Sequence, residues 1–255
     1  MISILVLSAL AQGLPAPQRP ADPFVFRSVL DQRVRIVTAA LDARMWCAWD
    51  TTTCGLYKSW KGGVRFEGTV WTNTHGPQPT TKGSEYMRGF DKPVWSAIAI
   101  IKDPAAPQPR LEPLECTARW LGHEVYQGRL ILNYAIDLKD CRSVRVQERC
   151  EFVLPEHIFS AERREELDFH SPQHGLWRQW RVLDCPEDVA LQVLVRRDST
   201  GRFFVDEALA QDAIEDVKNE QGVTVETRIM TRMTLGKPFP VGNIYQFWLD
   251  TPTKE

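Results

Sequence analysis

The feature that most constrains this chain is a period of two in its hydrophobic residues. From Ser143 to Val153, Val144, Val146, Cys150 and Phe152 alternate with Ser143, Arg145, Gln147, Arg149 and Glu151. From Val223 to Leu235, Val223, Val225, Ile229, Met233 and Leu235 alternate with Thr224, Glu226, Arg228, Arg232 and Thr234. Leu130, Leu132, Tyr134 and Ile136 repeat the pattern, as do Val189, Leu191, Val193 and Val195. Successive side chains of a strand point to opposite faces, so each run presents one apolar and one polar face. That is the signature of antiparallel sheets packed on a shared core.

Turn signals punctuate these runs at Gly62-Gly63, Gly122 to Gly128, Lys139-Asp140 and Asp198 to Gly201. The expected fold is all-β, a large antiparallel β-sandwich with one short amphipathic helix near the C-terminal third. That helix is expected over Asp206 to Asn219, where Leu209, Ala213, Ile214 and Val217 share a face. Glu156 to Leu167 reads as a shorter helix. Asp103 to Pro113 holds four prolines and is expected to form a long loop inside the sandwich.

Ile2 to Leu10 form a short apolar run, and Ala9-Leu10-Ala11 fits the small-x-small pattern of signal-peptidase sites. Residues 1–11 are therefore expected to be a signal peptide. Residues 12–23, with Pro15, Pro17, Pro20 and Pro23, are expected to be a tether, and residues 24–255 a single sandwich domain. The expected location is extracytoplasmic, periplasmic or secreted, with no membrane span. The net charge of −2, with both signs interspersed, gives no basic face for nucleic acid. Six cysteines behind a signal peptide suggest disulfides. One pairing can be argued locally: a hairpin at Asp50-Thr51 would set Cys47 opposite Cys54, the alternative being two buried free thiols.

The densest chemistry lies between Thr52 and Pro79, TTCGLYKSWKGGVRFEGTVWTNTHGPQP. Sugars offer C–H patches on a ring face and hydroxyls at the rim. Proteins meet them with an aromatic platform beside planar polar groups. Trp60, Lys61, Glu67, Trp71, Asn73 and His75 supply those groups and form the expected ligand-binding set. A hairpin turned at Gly62-Gly63 would place Trp60 and Trp71 in one sheet. The bland alternative is that the tryptophans fill a core and His75 closes a Pro-rich loop.

Several pieces of this region resemble a module of large secreted bacterial proteins that also carry c-type cytochrome or quinoprotein sugar-dehydrogenase domains. They are Phe26-Arg-Ser-Val-Leu30, Arg35-Ile-Val-Thr38, Leu56-Tyr-Lys-Ser-Trp-Lys-Gly-Gly-Val64 and Thr74-His-Gly-Pro-Gln-Pro-Thr80. A weaker likeness runs from Gly122 to Tyr134. The resemblance implies an extracytoplasmic β-rich module near sugar-oxidising or electron-transfer machinery, with a sugar dehydrogenase or cytochrome as partner. It implies no catalytic residue.

Other constellations are weaker. His170 and His174 lie four apart, near Asp168 and Glu165, but Pro172 between them argues against the helix that would align them. No metal site is expected. Glu148 falls on the apolar face of its run, where a buried carboxylate can serve as a general acid. Asp50, Glu67 or Asp137 would be its partner in a two-carboxylate site, and Arg119 or Arg129 its partner in a plain ion pair. There is no Gly-x-Ser-x-Gly, no phosphate-cradling loop and no Cys-x-x-Cys-His for haem. No cofactor is expected. The leading functional expectation is an exported binding or accessory module for a carbohydrate or small polar ligand. The alternatives are a carbohydrate-active enzyme (epimerase, lyase or hydrolase) using His and Glu, and a structural domain of an extracytoplasmic redox complex.

Overall fold

A computed structural model describes residues 22–106, 108–196, 201–205, 214–230 and 240–249. The first sheet is a meander of β1 (Phe24–Leu30), β2 (Arg33–Asp42), β3 (Met45–Asp50), β4 (Gly55–Arg65) and β5 (Thr80–Arg88). The chain continues through β6 (Trp95–Ile101), β7 (Arg110–Leu114), β8 (Cys116–Tyr126), β9 (Arg129–Leu138) and β10 (Ser143–Val153). Two short helices follow, α1 (Pro155–Ile158) and α2 (Ala161–Glu166). The remaining elements are β11 (Gln173–Asp184), β12 (Val189–Arg196), β13 (Arg202–Val205), β14 (Ile214–Lys218), β15 (Thr224–Met230) and β16 (Pro240–Leu249).

The second sheet has the order β13-β16-β11-β10-β9-β8, and the third β14-β15-β12-β6-β7. Every pairing is antiparallel. The alternation of Ser143 to Val153 translates directly: Val144, Val146, Glu148 and Cys150 face the core. Around that core the three sheets meet. Tyr86 of β5 stacks on Trp248 of β16 at 5.5 Å, Trp95 of β6 packs on Tyr134 of β9, and Trp95 Nε1 donates to the Cys54 carbonyl. The fold is all-β and sandwich-like, as the periodicity requires.

The first sheet departs from simple alternation. All six residues of β3 are buried. Both its faces are covered because the sheet curls until its edges meet. Asp31, just after β1, receives the Thr81 amide at 2.8 Å, the Thr81 hydroxyl at 2.6 Å and Lys58 Nζ at 2.6 Å. One face of the curl joins the main core through Cys47, Trp49 and Leu56. The other encloses a second cluster that includes Ile36, Trp46, Tyr57 and Trp60, with Phe24, Phe26 and Val64 packed on it.

Four expectations need correction. Gly62-Gly63 is no turn: β4 runs through both residues, and Gly62 pairs with Gly83 of β5. A Cβ at Gly62 would sit 2.2 Å from the Lys82 carbonyl oxygen, so the two strands approach closely where glycine faces glycine. Trp60 and Trp71 therefore do not share a sheet. Cys47 and Cys54 are not a bridged pair: Cys47 lies opposite Ser59, Cys54 sits in the turn before β4, and all six cysteines are free thiols. The helix expected over Asp206 to Asn219 is a strand where it is described, since Ile214–Lys218 pair with β15 as β14. Packing against a neighbouring strand overrides its helical spacing there, while its residues 206–213 lie outside the described residues.

Glu156 to Leu167 is helical in two pieces, broken at Phe159 and Ser160. The proline-rich stretch ends in β7, whose Pro113 is accommodated because β7 is an edge strand. The expected signal peptide, and all but the last two residues of the expected tether, lie outside the described residues. No helix among the described residues is long and apolar enough to cross a membrane.

Candidate functional site

Between Arg65 and Thr80 the chain leaves the sheet, and this loop holds four of the six residues expected to bind ligand. It is built from main-chain bonds. The Val29 amide donates to the Val70 carbonyl at 2.7 Å, and the Asp31 amide donates to the Pro79 carbonyl at 3.0 Å. Within the loop, the Thr69 amide donates to the Pro77 carbonyl at 2.9 Å. The Thr69 hydroxyl donates to the His75 carbonyl at 2.9 Å, and Asn73 Nδ2 to the Gln32 carbonyl at 3.1 Å. Gly68 makes the crossing possible: it has φ +69°, and a Cβ there would lie 1.7 Å from the Pro77 oxygen.

This frame presents an apolar surface to solvent. Trp71 is 79% exposed, and Phe66 is 56% exposed while its ring lies 5.0 Å from Phe26. The aromatic row that begins inside the curl thus emerges at the loop. His75 is exposed, and its ring has no partner among the described residues. Glu67 pairs with Arg65 at 2.7 Å. At the foot of the loop, Arg65, Thr80, Thr81 and Lys82 line an open recess of about 440 Å³. Glu67, Trp71, Asn73 and His75 therefore come together on one element, beside two cations that sequence reasoning passed over.

Trp60 does not join them. It is fully buried, stacks on Trp46 at 6.0 Å, and donates from Nε1 to the Gly63 carbonyl at 2.8 Å. It is core, because its strand lies in the middle of the curled sheet. Lys61 is half-buried on β4 opposite Ser84, away from the loop tip.

Glu148 is fully buried, but its partner is neither Arg119, which pairs with Asp137, nor Arg129, which pairs with Glu151. Arg178 donates from Nε to Glu148 Oε1 at 2.6 Å, Tyr134 Oη donates to Oε2 at 2.8 Å, and Trp49 Nε1 approaches Oε1 at 3.4 Å. Arg178 also lies 4.6 Å from the Trp180 ring centroid. Burial works against the Arg178 charge, but the Glu148 carboxylate more than offsets it and holds the guanidinium pKa up. Burial, reinforced by the Glu148 charge, pushes the Tyr134 phenol and the Cys150 thiol well above their ordinary values. No second carboxylate reaches Glu148 among the described residues, so the two-carboxylate arrangement is not formed there. Arg178 was legible in principle, as it alternates with Leu176, Trp180 and Val182 on the buried face of β11.

His170 and His174 separate. His174 is buried in β11 and hydrogen-bonded to Tyr86 Oη at 3.0 Å, while exposed His170 pairs with Asp168 at 2.8 Å. No group of three or more His, Cys, Asp or Glu among the described residues is arranged to hold a metal ion. The chain matches no family model, and no curated protein matches it.

Proposed function

We propose that the protein is an extracytoplasmic binding module that holds a carbohydrate on the loop between Arg65 and Thr80. The observation that carries this reading is Trp71, an indole 79% exposed on a loop tied to the rigid sheet at Val29, Asp31 and Gln32. A large exposed aromatic normally incurs a solvation cost, which a fixed binding platform explains. Pre-ordering the loop also lowers the entropy lost on binding. A sugar ring would stack on Trp71, with Asn73, His75 and the hydroxyl-lined, cationic recess facing its rim. In the recess Lys82 can meet a sugar hydroxyl or carboxylate, while Arg65 is paired with Glu67. Location outside the cytoplasm belongs to the same proposal and rests on the apolar run before Gln12. Docking beside a sugar-oxidising dehydrogenase or cytochrome rests on the resemblance of the loop region.

The test is a glycan-binding screen on the chain, followed by incubation with any ligand found. Binding without turnover is expected. Trp71→Ala is expected to weaken binding at least tenfold while changing stability by less than about 0.5 kcal/mol, as for exposed positions generally. His75→Ala is expected to weaken it less, with stability equally intact. If both variants bind as the parent does, the loop is not the site.

A further inference from the structure

The outer face of the second sheet gathers cations that no described protein group neutralises. On β10, Arg145, Gln147 and Arg149 alternate with the buried Val144, Val146 and Glu148, so they point away from the core. In register, Arg181 of β11 lies opposite Gln147, and Gln179 opposite Arg149. Facing residues on one side of a sheet have Cβ atoms about 5 Å apart, and same-side neighbours along a strand lie about 7 Å apart. Arg145, Arg149 and Arg181 therefore surround Gln147, although charges of both signs are interspersed along the chain. None of the three guanidinium groups has a hydrogen-bond or ion-pair partner among the described residues, and Arg149 Nε is buried without an acceptor. Buried donors are almost always partnered, so that nitrogen is an exception that needs a reason.

The carboxylates of the same face are engaged elsewhere. Asp137 pairs with Arg119 at 2.6 Å, and Glu151 with Arg129 at 2.9 Å. Asp184, opposite Arg145 in register, forms no ion pair among the described residues. Like charges gathered on one face raise one another's energy, and an external anion removes that cost. The amides of the face are tied to one another. Gln147 Nε2 donates to Asn133 Oδ1 at 3.1 Å, while Asn243 Oδ1 accepts from Gln179 Nε2 at 2.8 Å and from Trp177 Nε1 at 3.1 Å. Charge and apolar surface are what remain for a ligand. Leu121 of β8 and Leu183 of β11, 41% and 44% exposed, join Asn133 and Arg145 around an open recess of about 300 Å³. An apolar spot beside arginines on an open surface has the make-up of a protein interface, whereas small-molecule sites enclose their ligands.

We propose that this face docks an acidic polypeptide segment. Its carboxylates meet Arg145, Arg149 and Arg181, whose planar forks match carboxylate oxygens. An apolar side chain of the segment sits in the recess between Leu121 and Leu183. The loop between Arg65 and Thr80 takes no part, so the inference stands apart from the carbohydrate reading.

The test is selection of peptides from a random display library on the immobilised full chain, followed by calorimetry with the selected peptides. Enriched sequences are expected to be rich in Asp and Glu with an apolar residue among them, and to bind more weakly as salt rises. The double variant Arg145→Gln, Arg181→Gln is expected to keep the parent Tm and to weaken these peptides at least tenfold. If its Tm falls, Arg145→Gln alone, at an exposed position, serves instead, with a loss of at least threefold expected. Leu183→Ser is expected to weaken the peptides at least threefold. Trp71→Ala is expected to leave them unaffected, which separates this face from the loop. The proposal is overturned if acidic sequences are not enriched, or if the arginine variants bind them as the parent does. It is also overturned if oligogalacturonate displaces the peptides and binds more tightly than they do, since the occupant would then be an acidic sugar.

Discussion

At the residue scale, the most consequential group is Glu148, a carboxylate in the centre of an apolar core. Arg178, Tyr134 and Trp49 surround its two oxygens. Removing one member of such a pair strands the other in low dielectric, at a cost of about 3–5 kcal/mol. Glu148→Ala is therefore expected to destabilise by that amount in urea melts. Glu148→Leu combined with Arg178→Met is expected to recover most of the loss, as buried pairs often can be replaced by apolar residues. Equal destabilisation by the single and double variants would contradict this. The thiols give a second check. Burial pushes the Cys54 thiol up to about 12 and also raises those of Cys47 and Cys150, while Cys141 is exposed. With a thiol reagent at pH 8, Cys141 is expected to react first, and Cys47, Cys54 and Cys150 only on unfolding. Rapid modification of any of those three in the native protein would contradict their placement.

At the element scale, the curl of the first sheet depends on Asp31. Burial works to raise its pKa, but the bonds from Lys58 and Thr81 more than offset this and hold it below the ordinary 3.8. A carboxylate whose pKa is lower in the folded than in the unfolded chain stabilises the fold above the unfolded value. That contribution is lost as pH falls through the folded value. The stability difference between the parent and Asp31→Asn is therefore expected to be constant near pH 6 and to shrink below pH 3.8. Parallel curves from pH 6 to pH 2 would show that Asp31 does not clasp the sheet. The same curl explains what was hard to read from sequence. The β10 run has one wet face and one dry face, so its period was plain. In β3 both faces are dry, so the sequence Met-Trp-Cys-Ala-Trp-Asp carries no alternation to read. Gly62-Gly63 looked like a turn because glycine serves both turns and close strand crossings.

At the scale of the whole molecule, the described residues form three sheets around one main core, with a second core inside the curl and a loop where that second core reaches the surface. The class of fold was legible because period-two patterning reports directly on sheets. The candidate site was half legible. Glu67, Trp71, Asn73 and His75 are neighbours in sequence and remain so on one loop, whereas the partnership of Glu148 with Arg178 joins two strands through a register that alternation alone does not set. Trp60 was misplaced because a tryptophan on a buried strand and one on an exposed loop read alike in sequence. That distinction is also what makes the central claim measurable. The nine tryptophans give indole N–H signals that can be followed by NMR in a single ¹⁵N-labelled sample. On titration with the carbohydrate ligand, the Trp71 signal, assigned by its loss in Trp71→Phe, is expected to shift saturably. The signals of the fully buried Trp49, Trp60 and Trp180 are expected to stay in place. Saturable binding that leaves the Trp71 signal unmoved would contradict the assignment of the loop as the binding surface.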